Sequence, residues 1–116
     1  MNQLQVFNNT EFGQVRTMMI SGSPWFVAKD VCECLGITKH RDAVSRLDGD
    51  ERGSVEVDTL GGTQQMAAVN EYGLYSLVLS SRKPSAKAFK RWITHEVIPA
   101  IRKHGAYMTG ETLEQA

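Results

Sequence analysis

Apolar and polar positions alternate through the first third of the chain. Leu4-Gln5-Val6-Phe7, Val15-Arg16-Thr17-Met18-Met19-Ile20 and Trp25-Phe26-Val27 read as strands. Asn8-Asn9-Thr10 and Ser21-Gly22-Ser23-Pro24 supply turns between them, so the simplest arrangement is a β-meander. The period then changes to that of a helix. Val27, Val31, Cys34 and Leu35 share one stripe, Lys29 and Glu33 stand four apart outside it, and Gly36 ends the helix. Thr38 is the expected N-cap of a second short helix from Lys39 to Leu47. Ser54–Val57 and Gln65–Val69 flank a hairpin turn at Gly61-Gly62. Asn70 caps a helix through Ser80, which Tyr72, Leu74, Tyr75, Leu77, Val78 and Leu79 surround closely enough to predict extensive burial. Pro84 suits the first turn of a last helix that runs toward Gly105 with a bend at Pro99.

These elements predict an α+β domain: a small antiparallel sheet with hairpins, packed with a short helix pair and two longer C-terminal helices. The domain is expected over 1–108, and the polar stretch 109–116 reads as the start of a linker. With 116 residues, 41% of them hydrophobic, the chain can fill one core. Trp25 and Trp92 lie in apolar stripes and are expected to be buried. No apolar run is long enough to span a bilayer and Met1–Leu4 does not begin a signal peptide, so the expected location is the cytoplasm.

Zero net charge conceals a division. Residues 82–104 carry seven Lys and Arg against Glu96, a balance of +6, leaving −6 elsewhere. Acids gather at Asp48, Asp50, Glu51, Glu56 and Asp58. Such segregation creates a local field able to attract an anion, although a merely solvated helix face gives the same pattern.

Catalytic and metal-binding arrangements fit poorly. Cys32 and Cys34 point about 200° apart on a helix and cannot chelate one ion together. Cys34 reads as core and Cys32 as a partly exposed thiol. His95-Glu96 opens like a metalloprotease motif, but Pro99 stands where the second histidine belongs. His40, Asp42 and Ser45 diverge on one short helix and make no triad, and Gly61-Gly62 lacks the lysine of a phosphate loop. No enzyme activity, cofactor or metal is expected.

Cationic faces are more informative. On the short helix, Ala43, Val44 and Leu47 form the apolar side, with His40 among them, while Arg41, Asp42, Ser45 and Arg46 face away. Two short helices with outward arginines on the second suit a groove of DNA. On the last helix, Ala86, Phe89, Trp92, Ile93, Val97 and Ala100 cover one side, with Glu96 falling awkwardly inside that arc. Lys87, Arg91, Thr94, His95 and, past the proline, Arg102 lie opposite, a row suited to a phosphate backbone. The DNA contacts expected on this basis are Arg41, Arg46, Arg82, Lys83, Lys87, Lys90, Arg91, Arg102 and Lys103.

Read in order, the segments Phe7-Asn8-Asn9, Phe12-Gly13, Val15-Arg16-Thr17, Pro24–Val31, Leu35-Gly36, Val69–Tyr75, Ser81–Trp92 and Glu96–Gly105 resemble the Bro-N domain. That module stands at the N-terminus of baculovirus BRO proteins and of phage and prophage antirepressors. The resemblance runs from Leu4 to Met108. It implies a non-enzymatic regulatory domain that binds DNA, or one that captures a phage repressor protein without touching DNA. It also implies a C-terminal domain in the full-length protein and, through phage, a bacterial host cell; the short apolar runs imply no membrane partner. The two readings separate by salt. DNA contact predicts steep salt dependence centred on residues 82–104, and repressor capture predicts binding that persists at moderate salt.

Overall fold

Three tight turns and two loop-free junctions between strand and helix set the architecture. The computed structural model describes the backbone of residues 4–109 and the side chains of residues 4–103. Strands β1 (Gln5–Asn9), β2 (Gly13–Ile20) and β3 (Ser23–Val27) form the antiparallel meander, with Phe7 opposite Val15 and Thr17 opposite Phe26. Asn9 closes the first turn by accepting from the Glu11 and Phe12 amides at 2.8 and 3.1 Å. Ser21 and Gly22 form the second, both at positive φ (50° and 82°), the backbone that matches a tight hairpin to strand twist. Strands β4 (Arg52–Thr59) and β5 (Gly62–Asn70) form a hairpin longer than the sequence pattern marks. Its two loop residues are Leu60 and Gly61, one position earlier than expected, and Gly62 supplies the positive φ of 108°. β5 pairs with β3, giving the order β1-β2-β3-β5-β4.

Helix α1 (Ala28–Cys34) leaves β3 with no intervening residue, and α3 (Glu71–Ser80) leaves β5 in the same way. Between them lies α2 (His40–Ser45), shorter than the expected 39–47. Lys39 rather than Thr38 occupies its N-cap, without a side-chain cap bond. Asn70 does cap α3, accepting from the Gly73 amide at 3.0 Å. Pro84 lies outside its helix: Lys83–Ala86 makes a turn closed by Ala86 N to Lys83 O at 3.0 Å, and α4 (Ala86–Trp92) begins after it. A wide turn with π-helical bonding (Ile93–Val97) joins α4 to α5 (Ile98–Thr109). The interruption therefore precedes Pro99 rather than falling on it. Proline has no N–H, and its ring needs room at the carbonyl four residues back, which a widened turn provides. The same turn carries Glu96 out of the apolar arc to an exposed position. The polar tail expected over 109–116 lies outside the described residues except for Thr109, the last residue of α5.

The main core joins one sheet face, through Val15, Phe26 and Val69, to helix residues that include Val31, Leu74, Leu77, Phe89 and Ile93. A second cluster, Met18, Val27, Val55, Val57 and Ala68 with Ile20, Trp25 and Met66 around it, is built from strands alone.

Several burial expectations change. α1 packs against β2, β3, β5 and α2, so Cys32 is fully buried rather than partly exposed. α3 buries Gly73 and the apolar stripe of Leu74, Leu77 and Val78 but not the rest of its large side chains; Tyr72 and Leu79 are 68% and 86% exposed. Trp92 is buried but Trp25 only half-buried, and on α5 Ile101 rather than Ala100 enters the core. Among the described residues the ion pairs are Arg16–Asp30, Arg46–Asp42 and Arg102–Glu71, so Lys29 and Glu33 do not close the pair their spacing allows.

Candidate nucleic-acid interface

The basic surface is anchored where the α3–α4 connection crosses the end of α1. Ser81 Oγ donates to Leu35 O at 2.7 Å and receives the Lys83 amide at 3.2 Å. Lys83 Nζ reaches Cys34 O at 3.4 Å, and its side chain lies across Gly36. A cation on the last carbonyls of a helix satisfies acceptors that have no partner within the helix and complements its dipole. Lys83, expected as a DNA contact, is thus engaged as a C-terminal clamp on α1.

α4 then presents its two faces. Ala86, Phe89 and Trp92 are buried, and Phe12 packs edge-on to Phe89 with centroids 5.5 Å apart and lies 6.0 Å from Trp92. Lys87, Lys90 and Arg91 stand exposed on the opposite face. Lys90 Nζ sits 5.5 Å from the centre of the Tyr75 ring, a cation–π contact. The Tyr75 hydroxyl donates to Glu71 Oε2 at 3.0 Å. Burial, and after it the bond to Glu71, push that phenol up to about 12, so the ring is neutral beneath the lysine. Lys87, Lys90 and Arg91 border an open cleft of about 520 Å³ whose apolar wall is Pro84 and Ala88.

The wide turn closes the far end of this cleft with Thr94 and His95. Thr94 Oγ1 donates to Lys90 O at 3.0 Å, and His95 Nδ1 lies 3.0 Å from Arg91 O and 2.9 Å from Thr94 Oγ1. These side chains occupy carbonyls at the place where the regular ladder changes to wider bonding.

The other expected contacts are dispersed. Arg82 shares a cleft of about 320 Å³ with Lys39 and Arg46, beside Gly36 and Ser81. Arg46 is already held there by Asp42 at 2.6 Å. Arg41, also exposed, lines a different cleft of about 290 Å³ with Lys29, His40 and Gln65. At helical spacing the two arginines point about 140° apart, which sends them to different neighbours. Arg102 pairs with Glu71 at 3.2 Å in a cleft of about 430 Å³ that also holds Trp25 and Tyr72. Lys103 is exposed. The expected cations therefore form one cluster on α4, a second group around Arg82, and outliers. Lys39 and Lys29 join these clefts although helix spacing does not mark either as a contact. Among the described residues no three of His, Cys, Asp and Glu gather closely enough to hold a metal ion, and no helix is long and apolar enough to cross a membrane.

Known proteins are similar to this chain over most of its length. The N-terminal domain of the BRO family (Bro-N) matches residues 14–99. An uncharacterized protein of Haemophilus influenzae is 38% identical over 112 residues, covering 91% of this chain and 54% of that protein. Putative Bro-N domain-containing protein 289L of Invertebrate iridescent virus 6 is 30% identical over 122 residues, covering 89% of this chain and 29% of that protein. A second protein of that virus, 201R, carries the same description and is 31% identical over 127 residues, covering 89% and 30%. The chain thus spans about half of the first relative and less than a third of the other two. No solved structure matches.

Proposed function

The chain belongs to the BRO family of N-terminal (Bro-N) domains, and from that premise we propose that it is the DNA-binding regulatory domain of a phage or prophage antirepressor, holding duplex DNA on the exposed basic face of α4. The family is one of regulatory, non-enzymatic domains. The observation that carries the DNA reading is the trio Lys87, Lys90 and Arg91. All three are exposed on one rigid helix, and among the described residues none has a carboxylate within ion-pair distance. From Lys87 to Arg91 is a rise of about 6 Å, so the trio can follow a phosphate backbone without rearrangement. Arg82, in the cleft it shares with Lys39 and Arg46, supplies a fourth cation.

A gel-shift titration with random duplex DNA at two salt concentrations tests this. About four phosphate contacts give a log–log slope of about −3.6. A folded sample with no detectable binding near about 50 mM salt overturns the reading, because phosphate contacts are strong in that regime. Capture of a phage repressor is then the remaining reading. Exposed Tyr72 and Leu79 on α3 are the surface that favours it.

A further inference from the structure

The β4–β5 hairpin and the α4 cleft are opposite in charge. From Gly53 to Val69 the chain holds no Lys or Arg, and Glu56 and Asp58 stand exposed on one face of β4 while Val55 and Val57 are buried on the other. Leu60 is fully exposed at the hairpin tip, where it contributes nothing to either core cluster. The tip itself is well made: Thr59 Oγ1 donates to Gly62 O at 2.7 Å and accepts the Gly61 amide at 3.2 Å. Asp58 is oriented by Thr63, whose hydroxyl donates to it at 2.8 Å, and Glu56 accepts from Gln65 Nε2 at 3.3 Å. On α4, the cleft offers the apolar wall of Pro84 and Ala88, bordered by Lys87, Lys90 and Arg91. Two strand residues put Glu56 and Asp58 about 7 Å apart along β4, close to the rise of about 6 Å between Lys87 and Arg91.

We propose that this cleft receives the hairpin tip of a second copy of this chain, with Leu60 against Pro84 and Ala88 and the Glu56–Asp58 face against Lys87 and Arg91. Charge complementarity selects that occupant: a chain of zero net charge with its basic and acidic segments apart attracts its own kind. One tip in one cleft leaves each copy with a free tip and a free cleft, so this contact is head-to-tail and repeats from molecule to molecule, unlike a two-fold dimer in which both tips are used at once. One hairpin tip buries less than a standard interface, so the association is weak and concentration-dependent. It occupies cations that the proposed DNA contact also uses, which makes self-association and DNA binding compete. The self-association itself is measured without nucleic acid and stands or falls separately from the DNA reading.

Sedimentation of the intact chain is the test. At about 20 mM salt the weight-average mass should climb with concentration beyond twice the 12.9 kDa monomer, and about 300 mM salt should return it to monomer. Leu60→Ser removes the knob without adding charge, and Ala88→Glu blocks the cleft. Both positions are exposed and neither has positive φ. Each variant alone should remain monomeric. Mixed, they share one intact junction and should stop at a heterodimer. A wild type that is monomeric at every concentration in low salt overturns the proposal, and so does a plateau at a dimer. Variants that associate like the wild type, or a mixture that stays monomeric, overturn it equally. If a variant does not fold by circular dichroism, the wild-type series decides alone.

Discussion

Arg16 holds Asp30 three times over: its backbone amide and Nε both donate to Oδ2, at 2.9 and 2.8 Å, and its Nη2 donates to Oδ1 at 2.8 Å. The pair ties the middle of β2 to the first turn of α1. The hydrogen bonds to Asp30 raise the Arg16 pKa above its ordinary value, against an opposing contribution from burial. Asp30 is nearly buried, with 9% of its side chain exposed. Removing it leaves a guanidinium and a backbone amide without their acceptor. Asp30→Ala should destabilise the fold by about 3 kcal/mol, near the lower end of the range for breaking a buried pair because Arg16 keeps some water. Arg16→Lys should also destabilise it, since an ammonium cannot reproduce the fork. Urea unfolding measures both; a loss below about 1 kcal/mol for Asp30→Ala would show a pair worth no more than a surface bridge.

Gly73 is a helix-interior glycine with a specific reason to be there. A Cβ at this position would stand 2.6 Å from the Glu51 carbonyl oxygen and 3.0 Å from the Val69 side chain. The first turn of α3 is thus packed directly on the turn that opens β4. Gly73→Ala raises intrinsic helix propensity by about 1 kcal/mol, yet the clash with backbone should dominate. The expected outcome is net destabilisation of about 1–3 kcal/mol, read by the shift in urea midpoint. A more stable variant would mean that the two elements can separate without loss.

The two tryptophans should behave differently. Trp92 is 9% exposed and packs beside Phe12 and Phe89, each with ring centroids 6.0 Å away. Trp92→Ala should destabilise the fold by about 3–5 kcal/mol. Trp25 is half-buried and lies over Gly53 at the sheet's strand-built cluster. Acrylamide should therefore quench the native Trp92→Phe variant readily and the Trp25→Phe variant poorly. Equal quenching of both would contradict these environments.

What the sequence disclosed, and what it withheld, divides along physical lines. Strand alternation, turn residues and the Asn70 cap are local signals, and they locate all five strands and the start of α3. Burial on a helix depends on how many neighbours surround it. Cys32 is covered because α1 packs against β2, β3, β5 and α2, and Leu79 is exposed because it falls off the Leu74, Leu77 and Val78 stripe through which α3 packs, although their local patterns suggest the reverse. The wide turn before Pro99 required knowing where the helix makes room for the ring. For the candidate interface, helix spacing alone grouped Lys87 and Arg91. Nothing local marks Lys83 as a clamp on Cys34 O, 49 residues away, or Arg102 as the partner of Glu71.

The thiols give a prediction with a defined pH window. Burial pushes Cys32 and Cys34 each up to about 11 from an ordinary value of 9.0. Well below the ordinary value the thiols are protonated in folded and unfolded chains alike, and their contribution to stability is fully present. Between pH 9.0 and about 11 the unfolded chain loses protons that the folded chain keeps, so stability falls as pH rises. Urea midpoints should decline across that interval, and the decline should lessen in a Cys32→Ala, Cys34→Ala double variant. At about pH 8 a thiol reagent should modify the native protein only as fast as it opens. Rapid labelling of either cysteine under native conditions would contradict their burial.

The DNA reading predicts different effects for cations that look alike in sequence. Lys87 and Arg91 lack carboxylate partners among the described residues, and replacing both by alanine should flatten the salt slope by about 1.8 and weaken binding to all sequences evenly. Arg46 is held by Asp42, so Asp42→Asn should release a cation and remove a repelling charge in one step, tightening low-salt binding. Arg41 lines a separate cleft beside β5. If α2 only supports the fold, Arg41→Ala and Arg46→Ala leave both slope and sequence preference unchanged. If α2 enters a groove, one of them changes the sequence preferred in a selection from random duplexes, because a bidentate arginine–guanine contact contributes about 1–3 kcal/mol of discrimination. Even weakening with no change of preference would assign the arginine to phosphate. A Lys87→Ala, Arg91→Ala variant that retains the full wild-type slope would remove α4 from the interface, whatever α2 does.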